Sequence, residues 1–206
     1  VNVRYRHALV LAVLALAVLL ARPALAGQPT EELRQRVDRV LTLLQDPSLD
    51  PARRSAEVRT VANDIFDFQE TARRALGSHW NQRTPEQRDE FVRLFTGLLE
   101  RAYLSKIEQY GGERVTYTGD AVDGDSAVVR TRIVTRQGSE MPIDYRMMRG
   151  SPGWRVYDVV IEGVSLVANY RTQFNRVIQT TSYDELLSRL RARSVPTPPA
   201  SRGGRS

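Results

Sequence analysis

The chain has 206 residues, 41% of them hydrophobic, with 30 Lys and Arg against 24 Asp and Glu and a formal charge of +6. It has no cysteine and two histidines, His7 and His79. This excludes thiol catalysis, thiolate metal sites and a cysteine lipid anchor, and leaves no histidine cluster for zinc. Lys106 is the single lysine, and the arginines are interleaved with acids, as in Glu86-Gln87-Arg88-Asp89-Glu90. That pattern describes a solvated mixed-charge surface rather than a nucleic-acid interface.

Arg4, Arg6 and His7 precede an apolar run of 14 residues (8–21), which Arg22 and Pro23 break before Ala24-Leu25-Ala26. A basic start, a short apolar segment and a small–x–small triplet predict a signal peptide over 1–26, cleaved before Gly27. The run is shorter than the roughly 20 residues of a membrane-spanning helix. Without the three arginines of this leader, the 180 residues that follow carry +3. They suffice for one domain with its own core, expected over 27–193. From Ser194 onward the composition is Pro, Ser, Gly and Arg, and 194–206 is expected to be a disordered tail.

The first half of the domain reads as helix. Leu33, Val37, Val40, Leu41 and Leu44 recur at the helical period until Asp46-Pro47. Asp50-Pro51 is an N-cap followed by a first-turn proline and opens a second helix towards Ile65. Asp67 with Glu70 is a capping-box pattern, followed by Phe68, Ala72 and Leu76 on one face, with Gly77 as the stop. Thr84-Pro85-Glu86-Gln87 starts the longest helix, whose stripe runs from Phe91 through Leu98, Leu99, Ala102 and Tyr103 to Ile107. Gly111-Gly112 reads as a turn, because no strand precedes it as a phosphate-binding loop requires.

The period then changes from 3.6 to 2. Val115, Tyr117 and Ala121 alternate with polar residues, Asp123-Gly124 is a tight-turn dipeptide, and 127–136 reads as the returning strand. A third strand carries Met141, Ile143, Tyr145 and Met147 on one face, and a fourth spans 154–161. Helix returns with Leu166, Tyr170, Phe174, Val177 and Ile178. A last helix is capped by Ser182-x-x-Glu185 and carries Leu186, Leu187 and Leu190. Helices, a four-stranded antiparallel meander and two more helices define an α+β domain with helices packed on one sheet face.

One segment carries a resemblance. Tyr157-Asp158-Val159, then Glu162-Gly163-Val164-Ser165, then Asn169-Tyr170-Arg171-x-Gln173-Phe174 is similar to the C-terminal signature of the toluene-tolerance (MlaC) family of periplasmic phospholipid-binding proteins. Ala75-Leu76-Gly77, Trp80 and the stretch 84–95 resemble that family's helical half, so the likeness spans about residues 30–193. It implies a cystatin-like or nuclear-transport-factor-like fold with a hydrophobic cavity between helices and sheet. It also implies a monomeric periplasmic carrier with no catalytic residues and no cofactor. Such a carrier takes phospholipid between an outer-membrane lipoprotein complex and an inner-membrane transporter complex. A hopanoid or another apolar lipid is the alternative cargo.

Periodicity alone favours a closed core between helix and sheet; the resemblance favours a cavity for that interface as a whole. The expected lipid-binding positions are Leu98, Leu99, Ala102 and Tyr103 on the long helix and Tyr145 and Met147 on the third strand. Val160, Val164, Leu166, Tyr170 and Phe174 extend the set. Tyr103, Tyr145 and Tyr170 suit a headgroup boundary, where a ring is apolar and a hydroxyl polar. Arg146 and Arg171 could meet a lipid phosphate, since guanidinium matches phosphate oxygens. Asp158 and Glu162 are expected to cap the helix after Ser165 or to pair with arginine rather than to do acid–base work. His79 is expected at the surface or in a loop. A small cavity enzyme of the isomerase type would need an acid or base in that interface, and the apolar stripes contain none. A protein that shields apolar partners is a third reading.

Overall fold

Helices α1 (Gln28–Gln45) and α2 (Pro51–Ile65) form a hairpin, and α3 (Phe68–Leu76) runs into a 3-10 turn over Gly77–Gln82 in the computed structural model. The long α4 (Pro85–Glu108) leads to strands β1 (Arg114–Asp123), β2 (Ser126–Val134), β3 (Glu140–Gly150), β4 (Gly153–Ile161) and β5 (Val164–Ser165). Helices α5 (Leu166–Thr180) and α6 (Tyr183–Arg191) close the fold. The structure describes residues 28–192; the expected leader and tail lie outside them.

The helix starts follow from side-chain caps that satisfy the free first-turn N–H groups. Asp50 accepts from Arg53 N at 2.9 Å and Asp67 from Glu70 N at 2.8 Å. Thr84 and Gln87 make a reciprocal capping box, with Gln87 N donating to Thr84 Oγ1 at 3.3 Å and Thr84 N to Gln87 Oε1 at 3.1 Å. Ser165 and Ser182 cap α5 and α6, each accepting an N–H at 3.0 Å.

The strands pair antiparallel in the order β1-β2-β3-β4-β5, so the sheet has five strands where the sequence pattern predicts four. Left-handed backbone at Glu162 (φ 49°) and Gly163 (φ 81°) turns the chain back after β4. Val164 then pairs with Ile161, and Ser165 with Val160. Two residues are too few to show an alternating pattern, which hides this strand from sequence reading.

A register shift between Arg146 and Met147 divides β4 between the two faces of the sheet. Directly opposed residues of an antiparallel pair share a face. Trp154 and Val156 therefore join Met147, Val129 and Ala127 beneath α1 and α2, in a cluster completed by Leu33, Val61 and Ile65. Asp158 and Val160, opposite Arg146 and Asp144, take the other face. A second, larger cluster is all-helical. Phe91, Phe95 and Leu98 of α4 pack with Tyr170 and Phe174 of α5, with Ala72, Ala75 and Leu76 of α3, and with Leu186, Leu187 and Leu190 of α6. Its aromatic rings meet mainly edge to face, with Phe95 5.0 Å from Tyr170 and 5.1 Å from Phe174.

Candidate functional site

Apolar residues of α2, α4, β3 and β4 that belong to neither cluster are termed the seam. Val58, Ile143 and Val160 are buried and stand outside both clusters. Ala102, Tyr103 and Leu104 of α4 are half-buried, and they too belong to neither cluster. The helical period puts the first half of α4 into the helical cluster, while Glu100 and Glu108 reach α2 through Arg59 (3.3 Å) and Ser55.

Tyr103 on the seam, and Tyr117 and Tyr145 packed against the sheet-side cluster, carry desolvated hydroxyls. Burial pushes the Tyr103 phenol up, an effect that the neighbouring Tyr170 hydroxyl partly offsets. Tyr145 is pushed up to about 12, chiefly by burial, with a hydrogen bond to Thr131 acting against it. Tyr117, next to Tyr145, is raised by burial and further by Tyr145 and Asp38; its hydroxyl is buried with no hydrogen-bond partner among the described residues. The Arg34 guanidinium covers the Tyr117 ring at 4.3 Å. These groups remain neutral through the physiological pH range and can give or accept single hydrogen bonds. No group of three or more His, Cys, Asp and Glu suited to a metal occurs among the described residues.

The expected lipid-binding residues do not form one ring. Leu98, Tyr170 and Phe174 are interior residues of the helical cluster, and Leu99 packs against it. Ala102 and Tyr103 lie on the seam. Tyr145 and Met147 face the α1–α2 hairpin, and Val160 takes the opposite face of the sheet. Leu166 is half-buried at the start of α5, whereas Val164 is 52% exposed.

Both candidate arginines have protein partners. Arg146 Nη1 donates to Asp158 Oδ2 at 3.1 Å. Arg171 Nε donates to the Arg74 carbonyl at 2.8 Å, in the last turn of α3, where the macrodipole favours a cation. Its side chain lies 3.4 Å from where a Cβ on Gly77 would sit, a position already held at φ 61°. The run Asn169-Tyr170-Arg171 thus has a structural reading: a core ring followed by a helix cap. Asp158 is buried and uses both oxygens, accepting also from Ser165 Oγ at 2.6 Å and Val167 N at 3.0 Å. It caps α5 and pairs with arginine, the two roles expected of it. Glu162 is an exposed turn residue. His79 sits half-buried in the 3-10 turn, with Nε2 2.9 Å from Asn175 Oδ1.

A groove of about 330 Å³ beside α3 and the start of α4 is polar, with Asp67, Glu70, Arg73, Trp80 and Arg88 among its walls. Asp67, Glu70, Arg73 and Arg88 already have internal partners. Glu70 accepts from Arg73 and Arg74 at 2.6 Å, and Arg88 Nε donates to the Trp80 carbonyl at 3.1 Å. Sequence reading missed Val58, buried outside both clusters, because nothing in the α2 sequence distinguishes seam from core.

Comparison with known proteins gives a consistent picture. The chain matches the family profile described as MlaC protein over residues 34–192. It is 23% identical over 184 residues to the intermembrane phospholipid transport system binding protein MlaC of Haemophilus influenzae, covering 84% of this chain and 86% of that one. It is 26% identical over 102 residues to the toluene tolerance protein ttg2D of Pseudomonas putida, covering 49% and 47% of the two chains. Among solved structures it is similar to the phospholipid-binding protein of Ralstonia solanacearum in complex with a phospholipid. That match has a TM-score of 0.70 and 30% identity, and covers 82% of this chain and 97% of that one. With a family match across the described domain and a fold shared over nearly all of a solved relative, the chain belongs to the MlaC protein family.

Proposed function

We propose that this protein is a periplasmic phospholipid carrier that holds acyl chains at the seam between its helical cluster and its sheet. The observation that carries the reading is the fold shared with the Ralstonia solanacearum protein, whose structure contains a phospholipid. The seam adds local support. It consists of apolar side chains outside either packed cluster together with the neutral Tyr103 hydroxyl, and the charges that cross it between α2 and α4, Arg59 and Glu100, are paired with each other. The described residues include no helix long and apolar enough to cross a membrane. Leu98, Leu99, Ala102, Tyr103, Tyr145, Met147, Val164, Leu166, Tyr170 and Phe174 remain candidates to line the path; Val160 contributes from the other side of β4. Delivery between an outer-membrane lipoprotein complex and an inner-membrane transporter complex fits the transport system named for the Haemophilus relative.

The test is a binding series on delipidated protein in which acyl length and headgroup are varied independently. Each buried methylene contributes about 0.8 kcal/mol. Affinity is therefore expected to climb with chain length and to change little between phosphatidylethanolamine and phosphatidylglycerol. Affinity set by headgroup and indifferent to chain length would overturn the reading.

A further inference from the structure

The α1–α2 hairpin is fastened firmly at its base. Thr30 Oγ1 donates to Asp120 Oδ2 at 2.7 Å, Trp154 N donates to Glu32 Oε2 at 2.8 Å, and Arg36 Nη1 donates to the Trp154 carbonyl at 3.0 Å. The end of α2 is held by Arg155, whose Nη2 donates to the carbonyls of Asn63 and Phe66, each at 2.5 Å. Asp67 N continues the attachment by donating to the Val156 carbonyl at 2.8 Å. Leu33, Val61 and Ile65 are buried at this end.

Towards the tip the burial of α1 and the polar fastening weaken, while Val58 of α2 stays buried. The apolar stripe of α1 continues through Val37, Val40, Leu41, Leu43 and Leu44, yet all five are only half-buried. The turn at the tip is closed on itself. Ser48 N and Oγ both donate to Asp46 Oδ1, and Arg54 Nη2 donates to the carbonyls of Asp46 and Leu49. Across to α4, the polar contacts among the described residues are Arg59 with Glu100 and Ser55 with Glu108. Arg59 and Glu100 are 46% and 29% exposed, and pairs so open to water add little stability. Glu100, Leu104 and Glu108 follow one another at steps of four along α4 and so share its α2-facing side.

We infer that the tip half of the hairpin is a flap, and that the α2–α4 seam is the side door through which a lipid acyl chain enters. This inference rests on the carrier reading above. A helical hairpin bolted to the sheet at one end and latched weakly at the other opens at the latch, because local opening follows the least buried contacts. In the half-buried stripe of α1, Val37, Val40 and Leu43 pack against the sheet-side cluster, while Leu41 and Leu44 belong to neither cluster and supply an apolar surface without a full partner. An acyl chain entering beneath the flap would cover that surface. Arg59 and Ser55 then act as the latch, and Asn63, Phe66 and Asp67 mark the hinge.

The absence of cysteine from the sequence makes a cross-linking test clean. Full-length Ser55→Cys/Glu108→Cys protein is joined with a short bis-maleimide, and its control is the same variant capped with N-ethylmaleimide. Thr30→Cys/Asp120→Cys, treated identically, bridges the base. Uptake of a fluorescent-chain phosphatidylglycerol is followed from vesicles of phosphatidylethanolamine and phosphatidylglycerol. The tip cross-link is expected to slow uptake about tenfold against its capped control, while the base cross-link stays within about twofold of its own. Arg59→Gln, which releases the latch, is expected to speed uptake. A tip cross-link without effect, or equal slowing by both cross-links, overturns the flap. Wild-type protein that takes up no lipid fails the carrier reading itself, a result distinguishable from either.

Discussion

Asp158 Oδ2 accepts a hydrogen bond from the Ser165 hydroxyl at 2.6 Å, and this bond closes the β4–β5 turn onto the first turn of α5. The same carboxylate takes the Val167 N–H at 3.0 Å and Arg146 Nη1 at 3.1 Å. One buried side chain therefore ties β3, β5 and α5 together, and orients the helix that carries Tyr170 and Phe174 into the helical cluster.

Asp158→Ala should destabilise the protein strongly. It strands the Ser165 hydroxyl and the Val167 N–H, and each buried polar group left unpaired costs about 1–3 kcal/mol. We expect a total loss of about 2–4 kcal/mol, seen as a melting temperature lower by roughly 5–15 °C. Arg146→Ala should cost under about 1 kcal/mol, since that side chain is 45% exposed and its pair is largely screened. Equal losses in the two variants would contradict this division of roles.

Arg171→Gln separates a helix cap from a phosphate ligand. The guanidinium bond to the Arg74 carbonyl, with the end of the α3 dipole, is worth about 1 kcal/mol at this exposed position. Stability in urea should fall by that amount while phospholipid affinity holds. Unchanged stability with reduced affinity would place Arg171 on the lipid.

Alkaline pH should destabilise the fold through its tyrosines. Burial raises Tyr145 and Tyr183 to about 12, and raises Tyr103 and Tyr117 as well. The neutral phenol is thus favoured in the folded state. Its contribution is complete below the unfolded value near 10 and is lost as pH rises from about 10 to about 12. Spectroscopic titration should show a tyrosine fraction that ionises only together with loss of tertiary structure. Titration of every tyrosine near pH 10 in folded protein would contradict this.

Much of the architecture was legible in the sequence because its local determinants are strong. Asp50, Asp67, Thr84 and Ser182 announce their helices, and Asp123-Gly124 announces the first hairpin. What stayed hidden depends on tertiary geometry. The shift between Arg146 and Met147 sends Val160 to the face opposite Tyr145, although both strands alternate cleanly in sequence. Leu98 and Leu99 are adjacent members of one stripe, yet the first is interior and the second is at its margin. The arginines read as surface charge. In the fold Arg36, Arg54, Arg88, Arg155 and Arg171 donate to backbone carbonyls, several at helix ends, which a multi-donor guanidinium does better than an ammonium.

Native mass spectrometry of protein purified from a Gram-negative periplasm tests the central claim most directly. The account predicts a folded monomer carrying the added mass of phospholipid, released as intact lipid on collisional activation. A folded protein whose mass is that of the polypeptide alone, and which stays so after incubation with phospholipid vesicles, would contradict it.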